Sequence, residues 1–245
     1  MSTSIKPSTV HARQEMHAHA QRIADALALM EQCLPVQRHM LRAGDTVYQA
    51  GEHFDNLHFI HSGFFKLVSL SADGREQVVA LHFKGDWLGF DGIAIGQHGC
   101  DAVAMDIGEV WTIRYDRLLR ACAEHPPLLN VLHTAMSQEM ARDRDSMTSL
   151  CTLSADARVA DFLRYWVDSL GRRGLRTDQI TLRMTRAEIG NYLGMTLESV
   201  SRAFSRLARE KVICFAEKGP RDVQIPDVAA LAAFVQGSLG TATVP

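Results

Sequence analysis

Glu198, Ser201 and Arg202 are spaced three and four apart, so on a helix they share one face. Each is a type that can read the edge of a base. Arginine donates twice to guanine, glutamate accepts from the amino group of cytosine, and serine adapts to either role. Ser205, Arg206 and Arg209 follow on the same exposed face and suit phosphate oxygens. Thr185 and Thr196 stand at two helix starts, where backbone N–H groups and hydroxyls also meet phosphates.

Such side chains need a rigid mount. Thr185 and Glu188 form a T-x-x-E capping box, which starts a helix that turns Ile189 and Leu193 inward. Gly194 bends the chain sharply, and Thr196 caps a second helix with Val200, Phe204 and Leu207 as its buried stripe. Helix, short glycine turn, helix is the helix-turn-helix pattern. An ordinary helical hairpin with a solvated charged face shares it. Two short strands, 212–215 and 222–225, joined by Ala216-Glu217-Lys218-Gly219-Pro220-Arg221, argue for a wing and against the plain hairpin.

Further upstream the texture changes twice. Residues 1–20 are polar, carry His11, His17 and His19, and read as a mobile arm; 20–33 is a short helix with Ile23, Leu27 and Met30 in register. From Val36, β-like runs at 57–60, 65–70 and 77–83 alternate with glycine turns such as Asp73-Gly74, which suggests a jelly roll or barrel. A short helix over 115–123 stops at Pro126-Pro127, and a long one covers 128–150. Its stripe of Leu132, Met136, Met140, Asp143, Met147 and Leu150 reads as a dimer seam; packing on its own domain is the alternative. Asp143 on that stripe would oppose its symmetry mate. A further helix from 154 buries Ala157, Ala160, Phe162, Leu163 and Trp166 and ends by Gly174. The expected fold is α+β in four parts: arm and short helix 1–35, β-roll 36–123, dimerisation helix 124–153, and winged helix-turn-helix 154–245.

Composition sets limits. With 47% hydrophobic and 22% charged residues and a net charge of −2, the chain is ordinary globular material with no overall basic signature. It has no apolar run long enough for a membrane span and no visible signal peptide, so a cytoplasmic location is expected. The five cysteines, Cys33, Cys100, Cys122, Cys151 and Cys214, are scattered without a CxxC pair, which argues against a disulfide framework or structural zinc. Cys214, at the wing, and Cys151, ending the long helix, are candidates for redox control, although a free cysteine is more often a small buried hydrophobe. His58 and His61 fall on opposite faces of a strand, and no H-x-H pair offers cupin-type ligands; no metal site is expected.

The stretch Met184-Thr-Arg-Ala-Glu-Ile-Gly-Asn-Tyr-Leu-Gly-Met-Thr-Leu-Glu-Ser-Val-Ser-Arg202 resembles the DNA-binding signature of the CRP/FNR family. Segments 44–51, 59–63 and 82–91 resemble that family's β-roll turns, so the likeness covers about residues 36–225. It implies a cyclic-nucleotide-binding-type roll, a homodimer on double-stranded DNA, and no enzyme activity. The Glu198-x-x-Ser201-Arg202 pattern is similar to the FNR branch; the cyclic-AMP branch has arginine where Leu197 stands and glycine at Ser201. That implies a palindrome like TTGAT-N4-ATCAA. The loop around Val79, Lys84 and Gly85 would touch RNA polymerase.

The family's signals can be tested against these residues. Cyclic-AMP binders carry an Arg-Ser pair in a loop that here, over 96–103, offers Asp101 and no arginine, so a cyclic phosphate would lack its counter-charge. The oxygen sensors hold an iron–sulfur cluster on an N-terminal cysteine triplet plus one in the roll; here stand only Cys33 and, at the roll position, Trp111. No cofactor is therefore expected. Haem on an arm histidine and a small-molecule effector stay open, beside a FixK-like regulator governed by its own abundance. Two other classes remain: a cupin-like metalloenzyme with a helical accessory domain, and a ligand sensor that does not touch DNA.

Overall fold

Apolar residues in 37–114 alternate over short runs, and the chain answers with eight strands. The computed structural model describes residues 9–70, 74–215, 219 and 221–240. Strands β1 (Gln37–Leu41), β2 (Thr46–Tyr48), β3 (Asn56–Ser62), β4 (Phe64–Leu70), β5 (Glu76–Phe83), β6 (Trp87–Leu88), β7 (Asp101–Ala104) and β8 (Gly108–Arg114) build two antiparallel sheets, ordered β1-β8-β3-β6 and β2-β7-β4-β5. Tyr48, Ile60, Phe65, Leu88 and Val110 fill the space between them. On β3 the opposite face is buried too. Leu57 and Phe59 pack beneath helices, which is why that strand reads as one apolar run. Gly63, at φ 97°, makes the tight link to β4: an added Cβ would lie 2.6 Å from the Gly108 Cα.

Helix α1 spans Thr9–Cys33, so it begins well inside the segment the sequence assigns to a mobile arm. The run is rich in alanine, and Ile23, Ala26 and Met30 are buried against the roll, which anchors it. The side chains of His11 and His17 lie outside the described residues; His19 is half-buried. Helices α2 (Tyr115–Glu124) and α3 (Pro126–Thr152) follow, the second opened by proline in its first turn.

Helix α3 corrects the sequence-derived seam. It carries two stripes at spacings of three and four, and the period alone does not say which faces home. The inward stripe is Leu128, Leu132, Ala135, Glu139, Arg142 and Ser146. Leu132 is 4% exposed, in a cluster with Met30, Phe59 and Trp87 of the same chain, so it is not free to meet a second one. Met136 is half-buried on the same cluster, and Leu150 lines a cavity against the next helix. Met140 and Met147, 60% and 67% exposed, and Asp143 face outward with Leu129 and His133.

The carboxyl-terminal unit comprises α4 (Ala155–Arg172), β9 (Gln179–Thr181), α5 (Arg186–Leu193), α6 (Leu197–Arg209), β10 (Cys214–Phe215), β11 (Asp222–Gln224) and α7 (Val228–Gly240). Trp166 is its hub. The indole stacks on Phe64 at 5.5 Å and meets Phe83 edge-on at 5.2 Å, both from the roll. One apolar cluster therefore holds Val78, Leu81 and Phe83 together with Phe162, Ile189 and Phe204. Among the described residues, no helix is long and apolar enough to cross a membrane.

Glu139 is largely buried, and its Oε2 has no hydrogen-bond partner among the described residues. Burial outweighs the pull of Arg142, Asp143, Asp86 and Asp91 add repulsion, and the carboxyl is pushed up to about 7. The native state thus keeps this proton when the unfolded chain, near 4.5, has lost it, and stability falls as pH rises between those values. Glu139→Gln should remove that decline and stabilise the protein at pH 8 by about 1–3 kcal/mol, read from urea titrations at pH 5 and 8. Leu132→Ala should cost about 2–5 kcal/mol in the same titration at either pH.

Candidate nucleic-acid interface

The two helices of the motif are set by their caps. The Thr185 hydroxyl accepts from the Glu188 N–H at 3.2 Å, and Glu188 Oε2 accepts from the Thr185 N–H at 2.8 Å, so the expected capping box is present. Gly194 ends α5 at φ 62°. The turn then folds back so closely that a Cβ on Gly190 would sit 2.6 Å from the Met195 carbonyl oxygen, a demand the sequence reading did not identify. Thr196 caps α6 by accepting from the Ser199 N–H at 3.2 Å.

Helix α6 buries Val200, Ala203, Phe204 and Leu207 and turns Glu198, Arg202, Ser205, Arg206 and Arg209 to solvent; Ser201 is half-buried at the edge of that face. Arg202 Nη2 donates to Ser199 Oγ at 3.0 Å, and Ser205 Oγ donates to the Ser201 carbonyl at 2.9 Å. Glu198 is held below the usual carboxylate range by hydrogen bonds from its own backbone N–H and from Thr196, with Arg202 adding to them. It therefore presents an acceptor. Arg206 is engaged differently from expectation. It pairs with Asp156 at 2.7 Å and Glu210 at 2.9 Å, so it reaches a phosphate only by leaving them. These pairs are half-exposed and weak enough to exchange.

Two basic residues escaped the sequence reading. Arg186 lies over the Phe204 ring at 3.3 Å, and burial pulls its guanidinium down to about 10. Lys211 closes α6 in the left-handed region at φ 58°, where glycine is usual, and so gave no signal. The wing forms as expected from β10 and β11, with β9 as an unforeseen third strand beside β11. Ala216, Glu217, Lys218 and Pro220 of its loop lie outside the described residues. Cys214 is exposed at its base, and Cys151 is exposed at the end of α3.

The roll's proposed contact loop is only partly a surface. Val79 is 43% exposed and Lys84 is exposed, but Gly85 is covered: Ile23 of α1 lies 2.6 Å from where a Cβ would be. Gly85 thus offers a partner less surface than Lys84. The loop corresponding to a phosphate cradle is bonded by carboxylates. Asp101 accepts from the Ala50 N–H at 2.7 Å, and Asp91 accepts from the Gly99 N–H at 2.7 Å. His58 bonds Thr112 at 2.9 Å, His61 stacks on Trp111 from the other face of β3, and His98 stacks on Tyr48 at 3.7 Å. Among the described residues, no group of three or more His, Cys, Asp or Glu could hold a metal.

A winged helix-turn-helix carried on a roll of this type is the build of a transcription regulator. Residues 38–125 match the cyclic nucleotide-binding domain, and 157–234 match the Crp-like helix-turn-helix domain. The chain is 31% identical to the transcriptional activator protein Anr of Pseudomonas protegens, over 92% of this chain and 97% of that protein. It is 32% identical to the fumarate and nitrate reduction regulatory protein of Salmonella typhimurium, over 84% and 79%. Its fold follows that of FixK2 from Bradyrhizobium japonicum with a TM-score of 0.70 and 28% identity, covering 82% of this chain and 97% of that one. The chain belongs to the CRP/FNR family of transcription regulators. Thr196→Ala, which strips the cap from α6, should lower stability by about 0.5–2 kcal/mol in chemical unfolding.

Proposed function

We propose that the protein is a homodimer that reads a palindrome of the TTGAT-N4-ATCAA kind, with one α6 in each of two successive major grooves. The observation that carries this reading is the outward face of α6, where Glu198 and Arg202 stand exposed beside a capped helix N-terminus. Glu198, Ser201 and Arg202 take the base edges; Thr185, Thr196, Ser205 and Arg209 take the backbone, with Arg206 joining once freed from Asp156. Pairing runs along the outer stripe of α3, through Leu129, Met140 and Met147, with half-buried Met136 at its margin. Asp143 on that stripe sets a carboxylate against its mate and keeps the pairing weak.

The exposed part of the β5 loop, Val79 and Lys84, is the surface offered to RNA polymerase. A reading without cyclic nucleotide is supported by Asp101 and Asp91, whose carboxylates bond the backbone at Ala50 and Gly99 where an anion would need a cation. The free cysteines suit the reduced cytoplasm, and Cys214 and Cys151 are the two open to oxidation.

Arg202→Ala should cost about 1–3 kcal/mol in binding the palindrome, measured by fluorescence anisotropy at fixed salt, and should relax selectivity at one base pair of each half-site. Wild-type affinity and selectivity in that variant would remove Arg202 from the base-reading set.

A further inference from the structure

We infer that Asp86, with Arg142 and Arg173, is the joint that sets the angle of α6 relative to the roll, which makes Asp86 a positioning residue for reading two half-sites at once. The inference rests on the dimeric reading above.

Asp86 lies in the turn between β5 and β6 and is 8% exposed. Its Oδ1 pairs with Arg173 at 3.0 Å, its Oδ2 pairs with Arg142 at 3.0 Å, and the Phe83 N–H donates to Oδ2 at 2.8 Å. Arg142 belongs to α3, and Arg173 directly follows α4. One carboxylate thus joins the roll, the long helix and the DNA-binding unit. Arg173 is held in turn: it donates to the Ser169 carbonyl at 2.7 Å and the Lys84 carbonyl at 2.5 Å, and it lies over the Phe83 ring at 5.1 Å. Moving any of the three parts would strand a buried charge, so the joint resists tilting as well as separation.

A second row of contacts ties α5 directly to β5. The Asn191 side chain accepts from the Val78 N–H at 2.5 Å and donates to the Glu76 carbonyl, while Gln77 donates to the Asn191 carbonyl. Lys66 pairs with Glu188 at 2.6 Å, and the Tyr165 hydroxyl donates to the Leu81 carbonyl at 3.1 Å. Asn191 stands three residues before the Gly194 turn into α6. The recognition helix therefore takes its direction from strand β5. In a symmetric pair built on α3, that direction fixes the separation of the two α6 helices. None of these residues lies on the exposed face of α6.

The test compares Asp86→Asn and Asn191→Ala with the wild type on three duplexes: the palindrome, a single half-site, and palindromes with the spacer one base pair longer or shorter. Asn191→Ala touches no buried charge and guards against a folding failure of Asp86→Asn. Both variants should bind the half-site within about twofold of wild type, lose about tenfold of the advantage the palindrome gives, and discriminate less between spacers. Variants that keep wild-type palindrome affinity and spacer preference would overturn the inference. So would a parallel fall on half-site and palindrome that tracks the melting temperature. A wild type that shows no preference for the palindrome over the half-site would instead sink the dimeric reading itself.

Discussion

The contact on which the rest depends is the burial of Phe83 against Trp166. It brings the end of strand β5 into the core of the DNA-binding unit, where Val78 and Leu81 also lie. Aromatic pairs of this kind bury large apolar areas and prefer defined ring angles, so they fix both proximity and orientation. The polar contacts around the rim, from Lys66 to Arg183 with Asp106, then select one arrangement among those the apolar core would tolerate. The roll and the DNA-binding unit are separated in the chain by α2 and α3, yet they share one interior.

The match to the cyclic nucleotide-binding domain covers the roll, yet the loop that could cradle a phosphate is bonded by Asp91 and Asp101. Three of the roll's histidines, His58, His82 and His98, are buried. His58 and His82 are buried and pushed down to about 3 and 4 by desolvation, so both stay neutral at ordinary pH. Sites, rather than folds, carry activity, so the shared fold alone assigns no ligand to this roll.

Much of the DNA-reading unit was legible because its signals are local. Thr185, Glu188, Gly194 and Thr196 each act through a backbone position within four residues, so type and spacing suffice to place them. The two sheets were legible from glycine turns and alternation, although not their order. What escaped depends on partners distant in the chain. Leu132 fits a seam and a core equally well by period, and only the presence of α1 and the roll beside it decides. Gly85 looks like a surface turn until Ile23 is seen to cover it. The strand β9 comes from pairing with β11, which weak local propensities do not announce.

Strand β5 is the edge of its sheet, and an unprotected edge is a template for any other strand that drifts near. Here the Asn191 amide bonds the backbone of that edge at Glu76 and Val78, and α5 lies over it as a cover. The DNA-binding unit is thus also a guard against self-stacking. A polypeptide cut after α3 would lose that cover and leave Val78 and the β5 edge open to other strands. Asn191 therefore serves both the direction of α6 and the protection of that edge.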